Sequence, residues 1–129
     1  MARKPLLLIV DDENNVALTL QMVFEREGYA VLTANSCAGA LKILADGHVF
    51  DAVITDLNME KENIGLEVAR AALRLHPKPA VVICTGYASI DNSAAALQMK
   101  VDYLATKPVD LDELKRAVSR LMAFRNEKQ

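Results

Sequence analysis

The run LLLIV, Leu6 to Val10, leads directly into two adjacent carboxylates, Asp11 and Asp12. Asp56 follows a second apolar run, AVIT at 52–55. Thr85 follows a third, AVVIC at 80–84, and Lys107 lies just past a fourth, VDYLA at 101–105. Carboxylates brought within a few Å raise one another's pKa values, and each unit costs about 1.4 kcal/mol. A fold keeps such a group when a cation resolves it. Lys107 supplies one positive charge, and a hard divalent ion would supply the rest. Mg²⁺ (or Mn²⁺) suits the donors, because carboxylates, main-chain carbonyls and water are hard ligands and no soft ligand is offered. Such an ion keeps several waters and often shares an oxygen of a phosphate.

The elements that must gather these residues are legible as a change of period. Leu6–Val10, Ala52–Thr55 and Ala80–Cys84 are continuous aliphatic runs, the mark of strands covered on both faces. Tyr29–Thr33 and Val101–Ala105 are less uniformly apolar and belong nearer the edges of a sheet. Between them the spacing becomes helical. Val16, Leu20, Val23 and Phe24 recur over 15–27, and Gly28 supplies a stop. Leu41 and Leu44 form a stripe over 37–46, with Ser36 as N-cap. Leu66, Ala69 and Leu73 share a face over 65–75, closed by His76-Pro77. Ile90, Ala94 and Leu97 give a weaker stripe over 89–99. Leu111, Leu114, Val118 and Leu121 define the last helix, with Asp110 and Glu113 as an Asp version of the capping box.

Five strand–helix units in strict alternation predict an α/β fold, a doubly wound parallel sheet with helices on both faces. The flavodoxin-like order 2-1-3-4-5 fits, since it puts the three most apolar runs in the middle. Ligands of such sheets bind beyond the carboxyl ends of the strands, where the strand order switches. All five polar residues, Asp11, Asp12, Asp56, Thr85 and Lys107, fall on that edge.

Composition narrows the function. A chain of 129 residues suits one domain, with a core over about 5–124 and a polar tail at 125–129. It buries enough surface to fold without a disulfide or metal. A net charge of −2 argues against nucleic-acid binding. Cys37 and Cys84 match no metal spacing and are expected as packed, reduced thiols. No apolar run reaches the ~18 residues that span a membrane. The short run after Arg3-Lys4-Pro5 leads into acids and not small residues, unlike a signal peptide. The expected compartment is the cytoplasm.

The ordered set Asp11-Asp12, Asp56, Thr85-Gly86 and Lys107-Pro108 on five βα units resembles the receiver domain of two-component response regulators. The resemblance covers about residues 5–124. It implies that Asp56 is a phosphoacceptor served by a histidine kinase, a phosphotransfer protein or a small phosphodonor. It implies that Asp12 binds Mg²⁺ directly, that Asp11 holds it mostly through water, and that the main-chain carbonyl of Asn58 is a further ligand. It gives Lys107 and Thr85 the phosphoryl oxygens and makes Lys107-Pro108 a candidate cis peptide. A downstream partner would meet the region from the fourth helix to the last.

Three positions depart from the family pattern. The usual proline after Asn58-Met59 is missing, and Glu60-Lys61-Glu62-Asn63-Ile64-Gly65 makes a loop one residue longer, expected to be charged and mobile. The aromatic switch position, three before Lys107, holds Leu104, with Tyr103 one place earlier. Either Tyr103 faces the other side of the sheet and Leu104 does the coupling, or a bulge restores Tyr103; the first is preferred. Lys100-Val101 replaces a Gly-Ala pair, so Lys100 makes its turn without the easy positive φ of glycine. Tyr87 is expected to overhang the acceptor and, with Asn58, to set how fast water attacks a phosphoaspartate.

Each residue also has a plain reading. Asp12 or Asn14 would merely cap the first helix, Thr85 would be a turn hydroxyl, and Lys107 a solvated lysine. All of these would have to hold together on one sheet edge. His48 and His76 read as surface residues and the leucine stripes as core, while Ala94-Ala95-Ala96 offers a small, shallow face. Two other functions compete: a Mg²⁺-dependent phosphohydrolase of the haloacid-dehalogenase kind, and a receiver-like binding module that is never phosphorylated. The first would place its nucleophile on the first strand, in an Asp-x-Asp-like motif that is not found here. The second sits poorly with a complete set of five residues.

Overall fold

The structure is a computed structural model that describes residues 4–86, 94–96 and 98–128, the last four of these by backbone alone. Five parallel strands form one sheet in the order β2-β1-β3-β4-β5. They are β1 Leu6–Val10, β2 Ala30–Ala34, β3 Ala52–Asp56, β4 Ala80–Thr85 and β5 Tyr103–Thr106. Between them lie α1 Asn14–Arg26, α2 Cys37–Leu44 and α3 Gly65–Leu73, and the last helix is Leu111–Lys128. Residues 94–96 and 98 are helical; the rest of the expected fourth helix, including Ile90 and Leu97, lies outside the described residues.

The three central strands are buried along nearly their whole length, as their aliphatic runs require. One face of the sheet packs Leu8, Val10, Val53, Val81 and Ile83 against α2 and α3. The other packs Leu7, Ile9, Ile54 and Val82 against Leu20 and Phe24 of α1 and Leu114 and Val118 of the last helix.

Several boundaries move. β2 and β5 begin one and two residues later than expected. Asp102 is the reason in β5: its carboxylate accepts the Val81 N–H at 2.7 Å, so it acts as a bracket before the strand and not as part of it. Asp51 does the same before β3, accepting the Leu6 N–H at 2.7 Å. Neither role was expected, although an acid directly before an apolar strand run was its signal. α1 is capped by Glu13 without a side-chain bond, so neither Asp12 nor Asn14 caps it. Ser36 caps α2 as expected, accepting the Gly39 N–H at 3.0 Å. The Asp110 carboxylate accepts the Glu113 N–H at 3.1 Å. The last helix runs on to Lys128, through residues expected as a tail. Leu41 is exposed and not core, and along 94–96 Ala94 is exposed, Ala95 half-buried and Ala96 fully buried. Lys100 takes φ +64° without glycine's help.

One close approach fixes where α3 starts relative to β3. The Gly65 N–H donates to the Leu57 carbonyl at 2.8 Å. A Cβ on Gly65 would lie 2.0 Å from the Asp56 carbonyl oxygen and 2.8 Å from the Leu57 Cα, both backbone atoms. Backbone cannot yield as a flexible side chain can. Gly65→Ala should therefore lower the unfolding free energy by about 3 kcal/mol, read as a reduced urea midpoint; an unchanged midpoint would refute the close approach.

Candidate phosphoacceptor and metal site

β1 and β3 are neighbours in the sheet, so their last residues emerge side by side. Asp11 follows β1 directly, and Asp56 is the last residue of β3. One carboxylate oxygen each from Asp11, Asp12 and Asp56 lies within 4.8 Å of the others. Asp11 and Asp56 are buried and Asp12 is exposed. The Lys107 ammonium is 3.4 Å from Asp11 Oδ2 and 3.3 Å from Asp56 Oδ2. What holds Lys107 there is main chain: its N–H donates to the Thr85 carbonyl at 2.7 Å, extending the β4–β5 ladder past its last paired residues. Lys107-Pro108 is cis, as the resemblance implied.

The charges are poised, not relaxed. Burial pushes the Asp56 carboxyl above its ordinary value, and the Asp11 charge adds to the push. The Lys107 ammonium and, less strongly, the nearby Asn58 main chain pull it back without cancelling it. Burial works against the Lys107 ammonium, but the charges of Asp56 and Asp11 outweigh it and hold its pKa above the usual range. Burial also pushes the Cys84 thiol up to about 12, so it is inert beside the acids. Cys37 is likewise a free, buried thiol.

The structure brings Asp11, Asp12, Asp56 and Lys107 together and sets Thr85, fully buried, at the end of the strand beside Asp56. Asn58 follows two residues on, and its side-chain oxygen accepts the Asn63 N–H at 2.7 Å. That commits the Asn58 side-chain oxygen to the loop. Tyr87 lies outside the described residues. The β4–β5 register runs without a bulge, pairing Val82 with Tyr103 and Ile83 with Leu104. Tyr103 accordingly packs on the face covered by α1 and the last helix, and Leu104 packs on the opposite face. Beside the acids a cleft of about 430 Å³ opens between α1 and the start of the last helix, walled by Ile9, Val16, Leu20, Ile54 and Leu111.

The loop after β3 is not the loose segment expected. Besides the Asn58–Asn63 bond, the Glu60 carboxylate accepts the Cys37 N–H at 3.0 Å and the Met59 N–H donates to the Lys61 carbonyl at 3.2 Å. Asn63 takes φ +63°, which glycine or asparagine tolerates best.

Comparison with known proteins agrees with this geometry. Residues 7–119 match the family described as "Response regulator receiver domain". The chain belongs to this family. It is 38% identical over 119 residues to the transcriptional regulatory protein GlrR of Escherichia coli (strain K12), covering 92% of this chain and 26% of that protein. It is 39% identical over 121 residues to the alginate biosynthesis transcriptional regulatory protein AlgB of Pseudomonas putida, again 92% of this chain and 26% of that one. The chain thus spans about a quarter of the length of these relatives. Among solved structures it is similar to a CheY-like receiver domain protein from Methanospirillum hungatei JF-1, with a TM-score of 0.91, 25% identity, and 98% and 100% of the two chains covered. It is also similar to a receiver domain protein from Clostridium thermocellum, with a TM-score of 0.86, 28% identity, and 97% and 99% covered.

Receiver domains are signalling modules of two-component systems and interact with histidine kinases; they bind Mg²⁺ at an acidic pocket. The three-acid cluster here fits a hard divalent ion by its donors, all carboxylate oxygen, and by their spacing. No described helix is long and apolar enough to cross a membrane.

Because Asp56 keeps its proton to higher pH folded than unfolded, its contribution to stability falls as pH rises through the window just above the ordinary carboxylate pKa. At neutral pH without divalent ions the ionised carboxylate is then a net cost. Asp56→Asn should raise the melting temperature by roughly 3–5 °C in EDTA; a lowered one would contradict the electrostatics.

Proposed function

We propose that this chain is the phosphoacceptor switch of a two-component phosphorelay and that Asp56 is its nucleophile. The observation that carries the reading is the buried Asp56 carboxylate sharing Lys107 with Asp11, inside a cluster whose acid oxygens lie within 4.8 Å. An Asp56 oxygen attacks the phosphorus of a phosphohistidine or a small acyl phosphate. The new P–O bond forms as the bond from phosphorus to the donor's nitrogen or oxygen breaks, and the electron pair leaves with the donor. Such transfer asks a protein chiefly for positioning and charge neutralisation. Lys107 holds one phosphoryl oxygen and Thr85 donates to another. Asp11, Asp12, Asp56 and the main-chain carbonyl of Asn58 would hold Mg²⁺ (or Mn²⁺), which when bound neutralises phosphoryl charge.

The phosphorylated product carries nearly two negative charges at neutral pH, enough to draw a hydroxyl toward it. Thr85 and Leu104 sit on neighbouring strands, and the register (Ile83 with Leu104, Thr85 with Thr106) turns both to the same face. Leu104 therefore carries the coupling that an aromatic residue carries elsewhere, and Tyr103, on the other face, does not. The donor is a histidine kinase or phosphotransfer protein, in the cytoplasm. The downstream partner meets the face from the fourth helix to the last. This domain contacts neither nucleic acid nor membrane; the names of its longer relatives point to transcription as the output of the whole protein.

Incubation with acetyl phosphate and Mg²⁺, followed by intact mass measurement, tests the reading. The wild type should gain one phosphoryl group and Asp56→Asn none. Multiple turnover of a phosphate ester would favour a phosphohydrolase instead, and no labelling of the wild type would leave a receiver-like module that is never phosphorylated.

A further inference from the structure

A side-chain bond ties the loop at residues 58–65 to a neighbouring helix. Glu60 reaches across to α2, and its carboxylate accepts the N–H of Cys37, the first residue of that helix, at 3.0 Å. The N-cap Ser36 satisfies a different donor, Gly39 N–H, so the two bonds share the work at the α2 terminus without competing. A carboxylate at this end of a helix is also favoured by the helix dipole. At its other end the same loop starts from the acceptor strand: Asn58 lies two residues past Asp56, and the Gly65 N–H closes the loop on the Leu57 carbonyl at 2.8 Å. Between the two, the Met59 N–H binds the Lys61 carbonyl, and the Asn58 side chain holds the Asn63 N–H. The loop carries costs that call for an anchor. Asn63 is held at φ +63°, and its side-chain oxygen is buried with no hydrogen-bond partner among the described residues.

We propose that Glu60 is a positioning residue for the acid cluster. It fixes the Asn58–Met59 main chain against α2 and thereby sets the divalent-ion affinity of Asp11, Asp12 and Asp56. This rests on the phosphoacceptor reading above. Glu60 does not touch the acids. It does through a hydrogen bond to a neighbouring helix what a proline would do through a fixed φ. Outer groups that orient ligands commonly change metal affinity by about tenfold or more when removed.

The test is Mg²⁺ binding by calorimetry on the 129-residue chain, with melting temperature measured alongside. Glu60→Ala should weaken Mg²⁺ binding about tenfold. Glu60→Gln, whose amide oxygen still accepts from Cys37 N–H, should restore most of it. Ser36→Ala is the structural control, since it weakens α2 while leaving the Glu60 bond; it should lower the melting temperature and leave Mg²⁺ affinity unchanged. Unchanged affinity in Glu60→Ala overturns the inference, as does an equal loss in Ser36→Ala. If the wild type binds no Mg²⁺ at all, the metal site itself fails, and the positioning role with it.

Discussion

Lys107 stands between two buried carboxylates, 3.4 Å from Asp11 and 3.3 Å from Asp56, and nearly everything at this edge of the sheet follows from that placement. Two acids taken out of water beside a third are tolerable only while a cation answers them. One ammonium answers them in part. Burial still keeps the Asp56 carboxyl above its usual value, and the acid oxygens clustered there with a single ammonium are the feature on which the proposed divalent-ion site rests. The strand order makes the pairing possible, since it places β1 beside β3 and carries β5 past β4 so that Lys107 returns over the Thr85 carbonyl.

The two ends of the sheet use the same residue type in opposite ways. At the amino ends of parallel strands, N–H groups point outward and need acceptors. Asp51 and Asp102 supply them, bonding Leu6 and Val81, and their charge is satisfied by main chain. At the carboxyl ends, carbonyls point outward, and a carboxylate gains nothing from them. Asp11 accepts the Glu13 N–H where the chain turns away, and Asp56 is answered by the Lys107 ammonium. Acids at one end are therefore structural, and acids at the other remain under electrostatic load.

The loop from Asn58 to Gly65 shows how that load is positioned. It is anchored at β3, where Gly65 packs against the Asp56 and Leu57 backbone, and at α2, where Glu60 meets Cys37. It turns through a left-handed Asn63. A loop tied at both ends moves with the elements that hold it, which connects the acid cluster mechanically to α2 and α3.

The strand runs, the helical stripes, the Ser36 and Asp110 caps and the gathering of Asp11, Asp12, Asp56, Thr85 and Lys107 on one edge were all determined by the amino-acid sequence alone. These depend on local period, and on a parallel α/β topology that allows few alternatives. Long-range pairing was decided only in three dimensions. Glu60 to Cys37, Asp51 to Leu6 and Asp102 to Val81 join residues far apart in the chain, and no local period encodes which N–H a carboxylate will find. The side taken by Tyr103 and Leu104 belongs to the same class: a single residue of register exchanges the two faces, and only pairing with β4 fixes the register.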